Sequence, residues 1–590
     1  MSHLNVQANT FYLNNEPIQL LSGAMHYFRV VPEYWEDRLR KLKACGLNCV
    51  ETYVPWNFHE PNEGEFNFTG MADIETFIQT AQRIGLYVII RPSPFICAEW
   101  EFGGLPAWLL SDRNMPIRSS DPQFLEKVDT YYDTLMPKLR PHLHTNGGPI
   151  IMMQVENEYG SYANDKTYLT YLKKAMETRG IDVLLATSDG PTPLMLAGGT
   201  LDDVLPTVNF GSQPTKHFNT LQEHFPGIPN MVMEFWIGWF DHWGEEHHTR
   251  EGEDAAQAFR EMLASGASVN FFMFHGGTNF AFWNGANHDD GYQPTVTSYD
   301  YDSLLTESGD LTEKYHAVRA AIGEHYPLGE LELPEPIAKK AYGMVEMIEK
   351  VNLFDVLERI SEPVKKAEPV TMEKAGQNYG FILYRTFMQG PHEMAPLSIR
   401  GIRDRALIFV NGNFRGIIDR WKENTIDISI PEDGAQIDIL VENLGRVNYG
   451  PHLYDPKGIL EGVRFSYQFL SDWTIYPLPM DNLDQLEFKE EDLGLTDEFT
   501  RKSDISQPAF YRGTFHVDEA ADTFIHLPGW VKGFVVVNGF NIGRYWEIGP
   551  QETLYIPGPL LHEGENELVI FELHGTENET ISLIDHPILG

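Results

Sequence analysis

Apolar and polar residues follow two different patterns along this chain, and the first of them extends to about residue 325. Short apolar runs alternate there with longer segments of helical period, which is typical of successive strand–helix pairs. The runs predict eight strands, at 18–25, 48–54, 87–91, 150–156, 183–187, 207–210, 231–234 and 270–274. Helices are predicted between them, for example at 33–44, 71–84, 121–139, 168–177 and 253–264.

Eight such pairs predict an α/β fold, a (β/α)8 TIM barrel whose chemistry lies at the carboxyl ends of its strands. A doubly wound parallel sheet is the rival architecture. That fold more often has a glycine-rich phosphate turn after its first strand, and Ser22-Gly-Ala-Met-His26 is not such a turn. We therefore favour the barrel.

The second pattern is an alternation of period two with many turn residues, typical of β-strands, and it contains a repeat. Tyr384-Arg-Thr386 is followed 27 residues later by Asn411-Gly412, and Tyr511-Arg512 is followed 27 residues later by Asn538-Gly539. An Asn-Gly pair between apolar alternating runs strongly favours a β-hairpin. The repeat predicts two copies of one β-sandwich, of the jelly-roll or galactose-binding type.

These patterns predict four segments: a barrel at 1–330, a linker at 331–378, and β-sandwiches at 379–490 and 491–590. A proline-rich, acidic stretch at 327–336 marks the end of the barrel. The sandwiches could bind sugar, or they could wall the barrel and shape its mouth. The sequence leaves both roles open.

Composition narrows the class of partner. The 590 residues carry a formal charge of −41, from 85 acidic and 44 basic side chains. A field of that sign disfavours nucleic acid and anionic membranes and favours a neutral substrate. A well-solvated cytosolic protein would explain the charge equally well.

The cysteines and the amino-terminal residues predict a cytoplasmic location. Only three cysteines occur, Cys45, Cys49 and Cys97, and they cannot form a disulfide framework. The first residues lack the basic and apolar regions of a secretory signal. We also find no run of about 18 apolar residues that could span a membrane.

Two apolar runs end on carboxylates, and these are the candidate catalytic groups. The run Ile150–Val155 is followed by Glu156 and Glu158, and a second run ends at Glu234. Two carboxyl groups about 5 Å apart are what retaining glycoside hydrolysis requires, and glutamates at the carboxyl ends of two parallel strands can face each other across one mouth. Alternation puts Glu156 and Glu158 on the same side of an ideal strand. Periodicity alone therefore does not choose between them, although Glu158 lies nearer the loop face.

Longer motifs surround these carboxylates. They include Ser22-Gly-Ala-Met-His-Tyr27, Glu51-Thr-Tyr-Val-Pro-Trp-Asn57, Arg91-Pro-Ser-Pro-Phe-Ile-Cys-Ala-Glu99, Gln154-Val-Glu-Asn-Glu-Tyr-Gly160 and Ser298-Tyr-Asp-Tyr-Asp302. In these motifs the chain resembles glycoside hydrolase family 35, the β-galactosidases. The resemblance implies that Glu158 is the acid/base and Glu234 the nucleophile, and that neither a metal nor a cofactor is needed.

The resemblance also implies which residues line the galactose pocket. They are Tyr53, Cys97, Ala98, Glu99, Asn157, Tyr299 and Tyr301. Glu99 could accept two sugar hydroxyls, Asn157 could donate to the 2-hydroxyl, and Tyr301 is our candidate for a hydrogen bond to Glu234. Phe282 stands where animal members of the family have a tyrosine, so we leave it out of the pocket.

Three tryptophans follow the predicted nucleophile: Trp236, Trp239 and Trp243. Their spacing would also suit the buried face of a helix, but Gly238 and Gly244 argue against one continuous helix. We favour a loop that presents the indoles as a platform for the second sugar, with core packing as the alternative.

We therefore expect a retaining, exo-acting enzyme that removes terminal β-galactose from small oligosaccharides. Resemblance to bacterial cytoplasmic members of the family suggests a preference for β-1,3 linkages to GlcNAc or GalNAc. One alternative is an exo-β-glucosaminidase, with Glu99 near the 2-amino group. Another is a galactoside-binding protein without turnover. The sequence leaves the oligomeric state open, and a homodimer is the assembly we consider.

Overall fold

The fold begins with a small sheet that closes one end of a barrel. The structure is a computed structural model that describes residues 3–328, 333–422, 424–490, 507–576 and 578–590. Strands β1 (Leu4–Gln7), β2 (Thr10–Leu13) and β3 (Glu16–Ile18) form an antiparallel sheet. Its side chains Leu4, Phe11 and Leu13 pack against apolar residues of the barrel strands.

The barrel that follows is closed and consists of eight parallel strands. Its strands are β4 (Leu21–Met25), β5 (Cys49–Tyr53), β6 (Tyr87–Arg91), β7 (Ile150–Asn157), β8 (Leu184–Asp189), β9 (Leu205–Phe210), β10 (Met231–Trp236) and β11 (Ser268–His275). Each pairs with its neighbours in chain order, and β11 closes on β4. All eight predicted strands are present, so the predicted barrel is confirmed.

Helices surround this barrel. They are α1 (Trp35–Ala44), α2 (Trp56–His59), α3 (Ile74–Ile84), α4 (Pro122–Leu139), α5 (Tyr159–Tyr162), α6 (Lys166–Thr178), α7 (Pro193–Gly199), α8 (Pro214–His224), α9 (Gly252–Ala264) and α10 (Glu313–Gly323). Asp73, Asp121 and Asp165 cap α3, α4 and α6 by accepting hydrogen bonds from backbone N–H groups of the first turn. Among the described residues, no helix is both long and apolar enough to cross a membrane.

Two β-sandwiches follow, each with a six-stranded and a four-stranded sheet. The remaining elements are β12 (Ala286–His288), β13 (Tyr292–Pro294), β14 (Gly343–Glu346), β15 (Glu349–Asn352), α11 (Leu353–Ile360), β16 (Val364–Lys366), β17 (Phe381–Met388), β18 (His392–Arg403), β19 (Arg405–Val410), β20 (Asn413–Asp419), β21 (Ile426–Ile430), β22 (Ala435–Glu442), β23 (Val447–Tyr449), β24 (Gly458–Phe465), β25 (Gln468–Phe469), β26 (Trp473–Leu478), β27 (Lys489–Glu490), β28 (Ala509–Val517), β29 (Thr523–His526), β30 (Lys532–Val537), β31 (Phe540–Trp546), β32 (Thr553–Ile556), β33 (Gly564–Glu572) and β34 (Thr580–Ile584).

The two sandwiches share an apolar interface. The first consists of sheets β16-β26-β17-β22-β19-β20 and β21-β18-β24-β25, and the second of β27-β15-β28-β33-β30-β31 and β14-β34-β29-β32. Phe381 of the first sandwich lies 5.2 Å from Phe571 of the second, measured between ring centroids. The six-stranded sheets therefore bury apolar side chains on both faces, one inside the sandwich and one against the other sandwich.

Both predicted hairpins are present. Asn411-Gly412 joins β19 to β20, and Asn538-Gly539 joins β30 to β31. All four turn residues have positive φ, between +48° and +82°. This is the left-handed conformation that Asn-Gly turns supply at low cost.

The segment predicted as a linker, 331–378, is largely folded into both sandwiches. Strands β14 and β15 pair with β34 and β28 of the second sandwich, whereas β16 pairs with β26 of the first. The first sandwich is thus an insertion within the second. The prediction missed this because the strands are only three or four residues long and show no clear alternation of burial. Residues 331–332 of this segment lie outside the described residues, as do 491–506 at the predicted boundary between the sandwiches.

A buried ion cluster joins the barrel to the first sandwich. Arg446, which directly precedes β23, donates to Glu101 of the barrel at 2.5 Å and to Glu373 of the sandwich at 2.5 and 2.8 Å. All three side chains are at most 4 % exposed. Removing one member of such a buried cluster leaves charges without a partner, which is far more costly than losing an exposed ion pair.

We predict that Arg446→Ala lowers the free energy of unfolding by about 3–5 kcal/mol, because Glu101 and Glu373 would remain buried without a cation. Urea unfolding followed by fluorescence measures this loss in the first transition. The control is Arg400→Ala, which removes a pair to Glu461 in which both side chains are more than half exposed. That variant should lose about 0–1 kcal/mol, and equal losses in the two variants would contradict the prediction.

Candidate active site

The candidate site lies at the carboxyl ends of the barrel strands, where the first sandwich contributes to its wall. Strand β23 of that sandwich pairs with β12, which belongs to the loop between β11 and α10. This pairing brings Asn448 and Tyr449 to the mouth of the barrel. The pairing of β23 with β12 therefore gives a structural basis for one of the two roles considered for the sandwiches, which is to shape the mouth of the barrel.

The structure separates Glu156 from Glu158. Glu156 accepts two hydrogen bonds from Arg118, at 3.0 and 2.9 Å, and its pair with that arginine is fully buried. Glu158 directly follows β7 with a φ of +46°, so the alternation of the strand ends before it. It accepts a hydrogen bond from Asn209 at 3.0 Å, at the carboxyl end of β9. Glu158 is therefore the carboxyl group that belongs to the site.

Burial and a neighbouring charge raise the pKa of Glu158 well above its ordinary value. Desolvation is the larger cause, the negative charge of Glu234 is the second, and the hydrogen bond from Asn209 opposes both. The charge on Glu234 therefore favours the protonated form of Glu158. A glutamate that retains its proton near neutral pH can act as a general acid.

Glu234 lies in β10 with hydrogen-bond donors on both oxygens. Tyr53 Oη and Arg91 Nη2 each donate to Oε1 at 2.6 Å, and Trp236 Nε1 donates to Oε2 at 3.2 Å. A cation, a phenol and an indole around one carboxyl group form an environment for a carboxylate. The tyrosine that holds Glu234 is Tyr53 rather than Tyr301, which corrects the prediction. Tyr301 packs against Phe272 instead, with ring centroids 5.6 Å apart.

Arg91 connects these groups, and the sequence analysis did not assign it a role. Besides Glu234, its guanidinium donates to Gln154 at 2.6 Å and to Asn157 at 2.7 Å. It is fully buried and lies 4.0 Å below the centroid of the Tyr53 ring. The signal that could have identified it is a charged residue, Arg91, at the end of the apolar strand predicted at 87–91.

Asn157 has one amide N–H available for a ligand. Its oxygen accepts from Arg91 at 2.7 Å and from Gln154 at 3.1 Å, and its nitrogen donates to the carbonyl of Ile96 at 3.2 Å. The amide carries two N–H groups, so the second can reach a sugar hydroxyl. Asn157 is thereby fixed from three sides next to Glu158.

The predicted residues Cys97, Ala98 and Glu99 form a strained loop after β6. Their φ angles are +58°, +55° and +49°, three successive left-handed residues. Arg29 donates to the carbonyl of Ala98 and lies 3.9 Å over the ring of Tyr299. Strain of this kind persists only where surrounding contacts impose it, and it is concentrated at functional sites.

Glu99 is tied into the pocket from two domains. Tyr299 donates to its Oε2 at 2.5 Å, and Asn448 of the first sandwich donates to its Oε1 at 3.4 Å. Asn448 also approaches Cys97 Sγ at 3.5 Å. Burial raises the pKa of Glu99 to about 7, with the Tyr299 hydrogen bond and Arg29 acting against it.

Glycines allow the segment that carries Tyr299 and Tyr301 to approach the barrel. A Cβ at Gly276 would lie 1.6 Å from the carbonyl oxygen of Tyr299, and one at Gly238 would lie 1.9 Å from that of Tyr301. Only glycine fits at both positions. Glu307 supports the same segment from behind, since its carboxyl group accepts from Ser298 at 2.8 Å.

The three tryptophans lie in a loop between β10 and α9, not on a helix. Trp239 is 39 % exposed and Trp236 is half-buried beside Glu234. Trp243 is buried and packs against Trp546 of the second sandwich, with ring centroids 6.3 Å apart. Trp236 and Trp239 are thus the more exposed of the three indoles, and the platform for a second sugar stays a prediction.

A cavity of about 390 Å³ opens directly beside Glu158. Its lining residues come from the barrel and from the first sandwich; they are Phe95, Arg118, Glu158, Ser161, Tyr162, Asp289, Tyr449, Gly450, Pro451 and Leu453. Tyr162 and Tyr449 expose 36 % and 39 % of their surface. This wall was not predicted, because no local sequence pattern marks 449–453 as a neighbour of β7.

Phe282 does not belong to this site. Its ring is buried and contacts Tyr379 and Phe534 at the junction of the barrel with both sandwiches. The guanidinium of Arg544 lies 4.6 Å from the ring centroid. Its omission from the pocket agrees with this position.

Three family models match this chain. Residues 10–325 match glycosyl hydrolases family 35, residues 369–479 match the first all-β domain of β-galactosidase, and residues 508–566 match the β-galactosidase galactose-binding domain. The first model alone covers more than half of the chain. Its range coincides with the barrel and its helices.

Named relatives match over nearly the whole chain. It is 43 % identical to a Bos taurus β-galactosidase over 613 residues, covering 99 % of this chain and 93 % of that protein. It is 42 % identical to β-galactosidase 8 of Oryza sativa subsp. japonica, covering 99 % and 94 %. A Homo sapiens β-galactosidase is 43 % identical, with 100 % and 91 % covered.

The buried carboxyl group of Glu307 predicts a pH dependence of stability. Burial raises its pKa from 4.5 to about 8, opposed by hydrogen bonds from Thr278 and Ser298. Between pH 4.5 and about 8 the folded state holds a proton on Glu307 that the unfolded state has released. The stabilisation of the fold by this proton is therefore fully present below pH 4.5 and is lost as pH rises towards 8.

We therefore expect Glu307→Gln, which cannot titrate, to gain stability relative to the parent as pH rises from 5 to 8.5. Thermal unfolding midpoints of both proteins across this range provide the measurement. Glu307→Asp, which still titrates, should follow the parent more closely. A constant difference between parent and Gln variant at all pH values would rule out this origin of the pH dependence.

Proposed function

The chain belongs to glycosyl hydrolase family 35 and is a β-galactosidase, and from that premise we propose that it is exo-acting and retains anomeric configuration. In this proposal Glu234 is the nucleophile and Glu158 is the acid/base. The observation that carries it is a contrast between two carboxyl groups at the same mouth of the barrel: Glu234 is buried and surrounded by donors, whereas the half-buried Glu158 has a raised pKa.

The first step forms a galactosyl ester. A carboxylate oxygen of Glu234 attacks the anomeric carbon, and the bond from that carbon to the leaving oxygen breaks. Glu158 transfers its proton to that oxygen, so the aglycone departs as a neutral alcohol. Tyr53 and Arg91 retain the developing ester in place through Glu234 Oε1.

The second step hydrolyses this ester. Glu158, now a carboxylate, removes a proton from water, whose oxygen attacks the anomeric carbon and releases Glu234. The charge of Glu234 is one cause of the raised pKa of Glu158. That cause is absent in the ester, so the pKa of Glu158 falls when the residue must act as a base.

Galactose binding rests on groups that are already ordered. Glu99 can accept sugar hydroxyls, and Asn157 can donate to the 2-hydroxyl, where contacts tighten in the transition state. The loop of Cys97, Ala98 and Glu99 and the segment with Tyr299 and Tyr301 enclose this end of the site. Enclosure at this end of the site supports exo action.

We propose that the second sugar occupies the cavity beside Glu158, because the acid must reach the leaving oxygen. Tyr162 and Tyr449 offer exposed aromatic surface there, and Trp239 is the exposed indole of the neighbouring loop. Aromatic faces bind the apolar faces of sugars. A preference for β-1,3-linked GlcNAc or GalNAc is our hypothesis for this subsite.

We also propose a cytoplasmic location. Cys45, Cys49 and Cys97 are all buried and unpaired. Unpaired thiols are typical of a reducing compartment. Export of a tagged chain in its natural host would contradict this proposal.

The assignment of the two carboxylates predicts two chemical signatures. A 2-deoxy-2-fluoro-β-galactosyl fluoride should label Glu234 of the parent, and peptide mass spectrometry should identify the ester. Glu158→Ala should lose about 10²–10⁴-fold in kcat/KM on lactose. It should lose much less on a dinitrophenyl galactoside, whose leaving group needs no proton, and azide should form β-galactosyl azide. A label on any other residue, or inverted azide product, would refute the mechanism.

The cavity beside Glu158 predicts the linkage behaviour. Release of galactose should be fastest from Galβ1-3GlcNAc, compared with Galβ1-4GlcNAc and lactose. Tyr449→Ala should lower kcat/KM for the β-1,3 disaccharide about tenfold, the worth of one aromatic contact. Methyl β-galactoside, which lacks a second sugar, should be little affected.

The matched control is Tyr467→Ala, which truncates a tyrosine that is 91 % exposed on the first sandwich and does not line the cavity. It should leave all substrates unchanged. Equal release from the three disaccharides would contradict the β-1,3 preference. An unchanged disaccharide rate in Tyr449→Ala would contradict the proposed subsite.

A further inference from the structure

A third carboxyl group lies beneath the catalytic pair, inside the barrel. Glu51 is in the middle of β5, and its side chain is fully buried. Its Oε2 accepts a hydrogen bond from Asn270 of β11 at 3.1 Å. Its Oε1 lies 3.8 Å from Nη1 of Arg91. Within the described ranges, Arg91 is the only cation that forms an ion pair with Glu51.

The guanidinium of Arg91 lies between two carboxyl groups. Its Nη2 donates to Glu234 and its Nε donates to Gln154, whereas Nη1 forms an ion pair with Glu51 at 3.8 Å and has no hydrogen-bond partner among the described residues. Contact with the Tyr53 ring restricts movement of the guanidinium plane. A change at Glu51 is therefore transmitted to Glu234 by charge rather than by displacement.

We propose that Glu51 is a positioning residue that acts through Arg91, sharing this cation with the nucleophile before attack and serving as its counter-ion once Glu234 is an ester. The proposal rests on the retaining mechanism proposed above. It assigns Glu51 no contact with substrate.

The charge count of the buried cluster motivates this role. Before attack, one cation faces two carboxyl groups. After attack, Glu234 is neutral, and without Glu51 the cation would be buried without a carboxylate, which is strongly unfavourable. Glu51 thus stabilises the galactosyl enzyme relative to the free enzyme, and it also prevents Arg91 from pairing with Glu234 alone.

The pKa of Glu51 changes in the direction that this role requires. Burial raises its pKa to about 7, Arg91 and Asn270 oppose that effect, and the charge of Glu234 adds to it. Formation of the ester removes the last contribution, so the carboxylate form of Glu51 is favoured when Arg91 needs it. The other titratable or charged groups that face Glu234 are Tyr53, Arg91, Cys97, Glu99, Glu158 and Tyr301.

Glu51→Gln separates this role from a purely structural one. Glutamine has the same size and can still accept the hydrogen bond from Asn270, so packing is preserved while the charge is lost. Without that charge, Arg91 pairs with Glu234 alone. The nucleophile is then less reactive, and its ester leaves the cation without a counter-ion.

The test uses the 2-deoxy-2-fluoro-β-galactosyl fluoride described above, with the full chain. Glu51→Gln should be trapped at least tenfold more slowly than the parent, whereas reactivation of the trapped enzyme in buffer should not slow. The acidic limb of its kcat/KM profile should move to lower pH, because the ionisation of Glu51, whose pKa burial raises, no longer contributes to that limb. A structural defect would slow both steps and leave the limb unchanged.

Three further variants control the result. Glu51→Asp keeps the charge and should keep the acidic limb of the parent. Glu572→Gln removes a buried carboxyl group of the second sandwich that contacts neither Arg91 nor Glu234, and should not move the limb. Asn270→Ala removes the donor that favours ionised Glu51, so its trapping should be slow near neutral pH and recover at higher pH. This variant tests the proposal even where Glu51→Gln does not fold.

Several outcomes would overturn the proposal. They are a Glu51→Gln profile that superimposes on that of the parent, equal slowing of trapping and reactivation, or a Glu51→Asp variant identical to Glu51→Gln. Failure of the retaining mechanism would be visible separately, since the parent would then carry no label on Glu234.

Discussion

The buried guanidinium of Arg91 is the interaction on which the catalytic site depends. It lies at the end of the third barrel strand and joins residues of the second, fourth and seventh strands, Glu51, Asn157 and Glu234. A cation in that position is stable only if carboxylates and amides surround it, and those carboxylates are stable only with the cation. Arg91 therefore fixes both the position and the charge of the nucleophile.

The sequence predicted the features that depend on local pattern. Eight apolar runs defined the barrel, and the carboxylates at the ends of two runs defined Glu158 or Glu156 together with Glu234. The choice between Glu156 and Glu158 required the left-handed turn at Glu158, which no periodicity encodes. Likewise, hydrogen bonding to Glu234 by Tyr53 rather than Tyr301 depends on how side chains from distant strands meet, which is a property of the closed barrel.

The remaining differences arise from packing between domains. Trp243 is a residue type that suits a sugar platform, yet its ring packs against Trp546 of the second sandwich. The segment 331–378 has the composition of a linker, yet its short strands pair with strands that lie more than a hundred residues away. In both cases the partner is remote in the chain, and a local pattern contains no information about it.

The two ends of the substrate site are also built by different domains. The galactose end is built mainly from barrel strands and their loops, and Asn448 of the first sandwich donates into it. The cavity beside Glu158 has a wall from 449–453 of the first sandwich. The segment that faces the leaving group is thus attached to a different domain from the segment that carries the nucleophile. Changes in 449–453 can therefore alter the recognised linkage without moving Arg91, Glu234 or the strands that hold them.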